Sequence, residues 1–173
     1  MSKNTKSGMK WAITIAIVTF LLSLLFSFIS NTAVNDLEMI PAIIILLVVI
    51  GIGIGFDLVA TAVTVAKEEE FHAMAAKKMK GSKRAIQLIR NSSKVANFCA
   101  DVIGDICGVL SGAVGAIIAL KLTRTYNMSE SLQFIISALV ASLTVGGKAF
   151  TKEIAKKNST KIVHAISKVM SFK

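Results

Sequence analysis

The sequence predicts an all-α integral membrane protein, a bundle of about four transmembrane helices with amphipathic helices at the membrane interface. Three observations carry that prediction. Hydrophobic residues make up 54% of the chain and the mean hydropathy is +0.69, above the ordinary range for soluble domains. The apolar residues fall in blocks long enough to cross a bilayer. The basic residues fall between those blocks, at alternate gaps. The 173 residues, with a single Pro and 11 Gly, suit one membrane domain with little loop material.

Residues 11–30 carry no charge, and at about 1.5 Å per residue they reach ~30 Å, the thickness of the hydrocarbon layer. Lys3, Lys6 and Lys10 precede them, as in a signal peptide, but the apolar stretch exceeds an h-region of ~7–15 residues. A retained first span is therefore expected, with Trp11 as its interface anchor. A short polar loop carrying Asp36 and Glu38 comes next.

The second span is expected over 39–66. Pro41 falls in its first turn, where its missing N–H does no harm. The block is longer than one perpendicular crossing needs. Gly51, Gly53 and Gly55 interrupt it ahead of Asp57, so a tilted, bent or locally unwound helix is predicted.

Residues 67–91 are charged but patterned. Phe71, Met74, Ala75 and Met79 share one helical face, and Ile86 and Ile89 continue it after a break at Gly81 and Ser82. This reads as a basic amphipathic hairpin along the membrane surface. Glu68, Glu69 and Glu70 suit a solvated first turn. Ser92 or Ser93 is the expected cap of a third span over 94–122. That span holds Asp101 and Asp105, with Gly104, Gly108 and Gly112 on one face as helix-packing positions. Gly115 lies beyond them. Cys99 and Cys107 lie too far apart on one helix for a disulfide and read as small packing residues.

A fourth span is expected over 130–150, opened by Ser129 and Glu130. A second basic interfacial helix is expected over 159–173, with Ile162, Ala165, Ile166, Val169 and Phe172 as its stripe.

The formal net charge is +10. Among the 20 Lys and Arg residues, all but Lys121 and Arg124 fall in the N-terminus, the 67–94 segment or the tail from Lys148. That asymmetry predicts a multi-pass protein of the cell membrane with both termini cytoplasmic. Anionic lipid headgroups are the natural partner of so basic a face. Charges confined between apolar blocks argue against a nucleic-acid partner.

Ionisable groups inside spans are costly and mark functional hypotheses. The candidates are Asp57, the pair Asp101 and Asp105, and Lys148. The two aspartates are four apart on one helix, an arrangement suited to a hard cation such as Mg²⁺. Thr61, Thr64, Ser111 and Thr144 offer hydroxyl oxygens, and Gly146 and Gly147 offer carbonyls. The competing reading makes Lys148 an internal counter-ion to Asp101 and Asp105. His72 and His164 read as ordinary interfacial residues. The Gly51, Gly53 and Gly55 pattern lacks the strand–turn–helix setting of a nucleotide loop. No nucleophile–base set appears, so an enzyme is not expected.

At three places the chain resembles the transmembrane domain of the CNNM/CorB/CorC magnesium-transport family. Val59-Ala60-Thr61-Ala62-Val63-Thr64 stands where that family has a Ser-Glu-Thr-Ala-like motif before an amphipathic helix. His72-Ala73-Met74-Ala75 to Lys83-Arg84-Ala85 is similar to that amphipathic helix. Asp101 and Asp105 stand where the family has two asparagines four apart. Gly147-Lys148-Ala149-Phe150-Thr151-Lys152, with Ala155-Lys156-Lys157-Asn158, resembles the family's closing Gly-Glu-x-x-Pro-Lys segment. The resemblance covers about residues 40–173 and leaves 11–30 as an additional span. It implies a divalent-cation transporter or transport-related protein, bound Mg²⁺ and a homodimer. The departures are chemical: Val59 replaces the motif Ser, Ala60 its Glu, Lys148 the final Glu, and acids replace the asparagines. A non-transporting relative, a membrane scaffold or partner subunit with Lys148 in place of the ion, is the alternative.

Overall fold

The computed structural model describes residues 3–35, 37–126 and 131–171. Among them the structure is helical and contains no strand. The order is α1 (Lys3–Asn35), α2 (Met39–Val65), α3 (Glu68–Ala76), α4 (Ser82–Arg90), α5 (Ser92–Ala96), a π-helical turn (Asn97–Ile103), α6 (Gly104–Tyr126) and α7 (Ser131–Met170). Three helical runs are long and apolar enough to cross a membrane: Met39–Val65, Ser92–Tyr126 and Ser131–Met170. In α1 the described apolar stretch, Ala12–Leu25, is shorter. Phe134, Leu139, Val145 and Phe150 stand exposed along α7, and Ile40, Ile44 and Leu47 along α2. Such faces are at home in hydrocarbon, where no water need be displaced from them.

The chain divides into two compact units. The first comprises Met1–Ile50 and Asp105–Ala141. In it α2 buries Ala42, Leu46 and Ile50, four residues apart, and α6 buries Cys107, Ser111, Val114 and Ile118. The i, i+4 spacing puts each set on one helical face. Close helix approach occurs at Gly115, where a Cβ would stand 3.1 Å from Cγ2 of Val140. Near the end of α6, Lys121 Nζ donates to the carbonyl oxygen of Leu37, just ahead of α2.

The second unit comprises Gly51–Gly104 and Ser142–Lys173. Its core is Ala62, Val63, Ala66, Phe71, Ala85, Ala155 and Val163, flanked by Leu58, Met74, Ile86, Ile89 and Ile162. Phe71, with no exposed surface, is its largest fully buried side chain. The α3–α4 hairpin therefore turns its apolar face onto the unit's own core. The expected apolar stripe of Phe71, Met74, Ile86 and Ile89 thus packs within the chain. Two acids of α3 also find partners that tie the hairpin down. Glu68 Oε1 accepts from Arg90 Nε at 2.8 Å and has His72 Nε2 at 2.9 Å, while Thr160 Oγ1 donates to Glu70 Oε2 at 2.5 Å. The expected solvated first turn is thus partly engaged. The His72 and Arg90 hydrogen bonds hold the Glu68 carboxyl below its ordinary range, His72 contributing most.

Several boundaries differ from the sequence reading. Asn31 to Asn35 continue α1, so the first loop is shorter than expected. α2 runs through Gly51, Gly53 and Gly55 without unwinding, because an apolar environment leaves backbone groups no partner outside the helix. Asn91 precedes α5 as its N-cap, and Ser92 and Ser93 lie inside the helix. No side-chain cap bond forms there; the Asn91 amide instead donates back to Gln87 O at 2.9 Å. Residues 151–157 stay helical, and the expected start of the tail helix appears as a break within α7 at Asn158 (φ −122°, ψ 23°). Beyond it the buried positions are Val163 and Ser167, while Ala165 is exposed and Val169 is 73% exposed. The tail stripe is therefore rotated from the one expected. Ser129, Glu130 and Phe172, and the side chain of Trp11, lie outside the described residues.

Candidate functional site

The second unit holds one deeply buried acid. Asp57 lies on α2 and is 5% exposed. Its position follows from a close approach of α2 and α7. Gly147 has no side chain, and a Cβ there would overlap Cδ1 of Ile54. One turn beyond Ile54 comes Asp57, and one turn beyond Gly147 come Thr151 and Lys152. Lys152 Nζ reaches to 3.8 Å from Oδ2 of Asp57. That is ion-pair range but beyond a hydrogen bond, and Oδ2 has no hydrogen-bond partner. The lysine side chain is 50% exposed against 7% for the aspartate. The acid is thus buried while the base is half exposed.

Thr61 is half-buried and lies four residues after Asp57, hence on the same face of α2. Thr64 is exposed, and its hydroxyl donates to Ala60 O at 2.8 Å. Thr151 Oγ1 donates to the carbonyls of Gly147 and Lys148 at 3.0 and 3.1 Å. The Gly147 carbonyl offered as a ligand is therefore already engaged.

Lys148 is half-buried, and its Nζ lies 3.6 Å from where a Cβ on Gly104 would be. Asp101 lies in the π-helical turn and is exposed. In the first unit Asp105 opens α6 and is also exposed. Neither aspartate, nor Lys148, takes part in an ion pair among the described residues. The lysine facing a buried acid is Lys152, and the acid is Asp57. Sequence reasoning singled out Asp57 as an intramembrane acid, but placed Lys152 only in the closing segment of the resemblance and not as its partner.

Of the glycine face expected at 104, 108 and 112, one position is buried within the chain. Gly104 is buried, whereas a Cβ on Gly108 or Gly112 would meet nothing within 4 Å. Ser111 is buried with its hydroxyl bonded to Gly108 O at 3.0 Å, and Thr144 is half-buried. His72 and His164 are engaged: His164 Nε2 lies 3.2 Å from Lys80 O. Cys99 and Cys107 are buried, and neither forms a disulfide.

Among the described residues no three Asp, Glu, His or Cys side chains converge as a metal cage. A cation at Asp57 would have one carboxylate and retained water. Mg²⁺ accepts such a set, since it dehydrates reluctantly and is commonly held by one or two carboxylates.

No family model, curated protein or solved structure matches this chain.

Proposed function

We propose that this chain is a membrane protein that handles a divalent cation of the Mg²⁺ type, as a transporter or part of a transport system, with Asp57 as the central ligand. The observation that supports it is the Asp57 carboxylate: buried in an apolar helix, one oxygen without a hydrogen-bond partner, faced by a half-exposed lysine. In this reading Lys152 is a placeholder. An arriving cation takes its position against Oδ2, and the ammonium withdraws to solvent along a path it already occupies. Thr61 supplies a hydroxyl on the same helical face, and the remaining ligands are water. Asp101 and Asp105, both exposed, are further candidate cation ligands. The resemblance to the CNNM/CorB/CorC transmembrane domain supports the class of ion and a homodimer. The distribution of lysines supports a cell-membrane location with both termini cytoplasmic, anionic headgroups as partners and α1 as a fourth span.

The test is flux. The purified chain is reconstituted in liposomes enclosing a Mg²⁺-sensitive dye. Uptake is expected in the wild type and is expected to vanish in Asp57→Asn.

A second reading is favoured by the 3.8 Å pair itself. Lys152 already neutralises Asp57, as a permanent substitute for the ion would. The chain is then a non-transporting scaffold or partner subunit. Folded wild-type protein that neither takes up Mg²⁺ nor gains thermal stability from it over the millimolar range decides for this reading.

A further inference from the structure

We propose that the turn end of the α3–α4 hairpin is a binding site for a phosphate ester, the headgroup of an anionic phospholipid. This does not rest on the cation reading, since no residue is shared with Asp57 and Lys152. A cavity of about 600 Å³ opens there, and its wall carries Lys78, Lys80, Lys83 and Arg84. No acid lines it. None of these four cations takes part in an ion pair among the described residues.

The charge separation along the hairpin makes the cavity distinct. At the open end, where α3 begins and α4 finishes, Glu68 is engaged by Arg90 and His72. Glu70 is engaged by Thr160. The acids of the hairpin are gathered at that end, and the cations without an ion pair at the other, where Arg84 Nη1 donates only to the neutral Gln87 Oε1 at 3.1 Å. Four like charges around one hollow repel each other unless an anion enters. Lys and Arg are the ordinary partners of phosphate oxygens.

The hollow is held in shape. Gly81 has φ +89°, and a Cβ there would stand 2.9 Å from the backbone nitrogen of Lys168, so the turn sits directly against α7. His164 is bonded to the Lys80 carbonyl on the same side. Lys78 also adopts a positive φ of 56°, a conformation that non-glycine residues adopt only when the surroundings demand it. Met79, 42% exposed, adds an apolar edge beside the cations. Phosphate recognition beside an apolar edge suits a lipid, whose glycerol and first methylenes continue from the headgroup. An inorganic phosphate has no use for that edge.

The full chain, purified and delipidated in a neutral detergent, is titrated with phosphatidylglycerol, with phosphatidylcholine and with inorganic phosphate. Melting temperature and retained lipid by native mass spectrometry are the readouts. Phosphatidylglycerol is expected to raise the melting temperature and to be retained; phosphatidylcholine is not. The pair Lys83→Gln and Arg84→Gln should weaken this by about fivefold per charge removed. Lys157→Gln, an exposed lysine of α7 outside the cavity, should leave it unchanged. If the double variant does not fold, the single exposed Lys80→Gln serves in its place. A Lys157→Gln loss as large as that of the cavity variants makes the effect diffuse attraction and overturns the site. Equal stabilisation by phosphatidylcholine, or none by any probe, overturns it as well. Stabilisation by inorganic phosphate alone overturns the lipid assignment.

Discussion

Lys152 Nζ stands 3.8 Å from Oδ2 of Asp57, with the acid buried and the base half exposed. The two partners are therefore unequal. Removing the lysine strands a charge in an apolar setting, whereas removing the acid only releases a side chain that already touches water. Breaking a fully buried pair from one side costs about 3–5 kcal/mol. Here the exposed lysine lowers that to roughly 1–3 kcal/mol.

Lys152→Met is thus expected to lower the melting temperature in detergent clearly, and Asp57→Asn to change it little. The double variant should recover most of the Lys152→Met loss. Strictly additive losses in that cycle would show that the pair is not energetically coupled.

Gly81→Ala meets both a left-handed backbone and the Lys168 main chain. It is expected to destabilise by about 1–3 kcal/mol. Gly51→Ala is the control: a Cβ there meets nothing within 4 Å. Within α2 it should be neutral or stabilise by up to about 1 kcal/mol. Parallel thermal melts compare the two.

Phe71→Ala removes the largest fully buried side chain of the second unit's core, with an expected cost of about 3–5 kcal/mol. Hydrogen exchange should show the α3–α4 hairpin losing protection. A hairpin that stays fully protected would mean that the core does not hold it.

Glu68 sets a pH dependence. Its carboxyl is held below the ordinary glutamate value of 4.5 by hydrogen bonds from His72 and then Arg90. A depressed carboxylate contributes stability that is present above the ordinary value and is lost as pH falls through the depressed one. Glu68→Gln should therefore be less stable than wild type at neutral pH. The difference in melting temperature should close as the medium is acidified below about 4.5. A gap that stays constant down to acid pH would exclude an electrostatic origin.

How legible the chain was depends on the range over which each feature is determined. The amino-acid order alone determined the all-helical class and the apolar runs of α2, α6 and α7, because span length and hydropathy are properties of contiguous residues. It also indicated a break near Gly81, where a left-handed backbone packed against Lys168 leaves no room for a Cβ, although the bend starts earlier, after Ala76, and Ser82 already belongs to α4. Tertiary structure decided which faces are inside. Phe71 and Val163 turn inward because α2, α3, α4 and α7 share one core, and periodicity within one helix cannot specify its neighbour. It likewise decided that Lys152, rather than Lys148, faces a buried acid. That choice depends on how closely α2 approaches α7 at Gly147 and Ile54, a distance no single helix encodes.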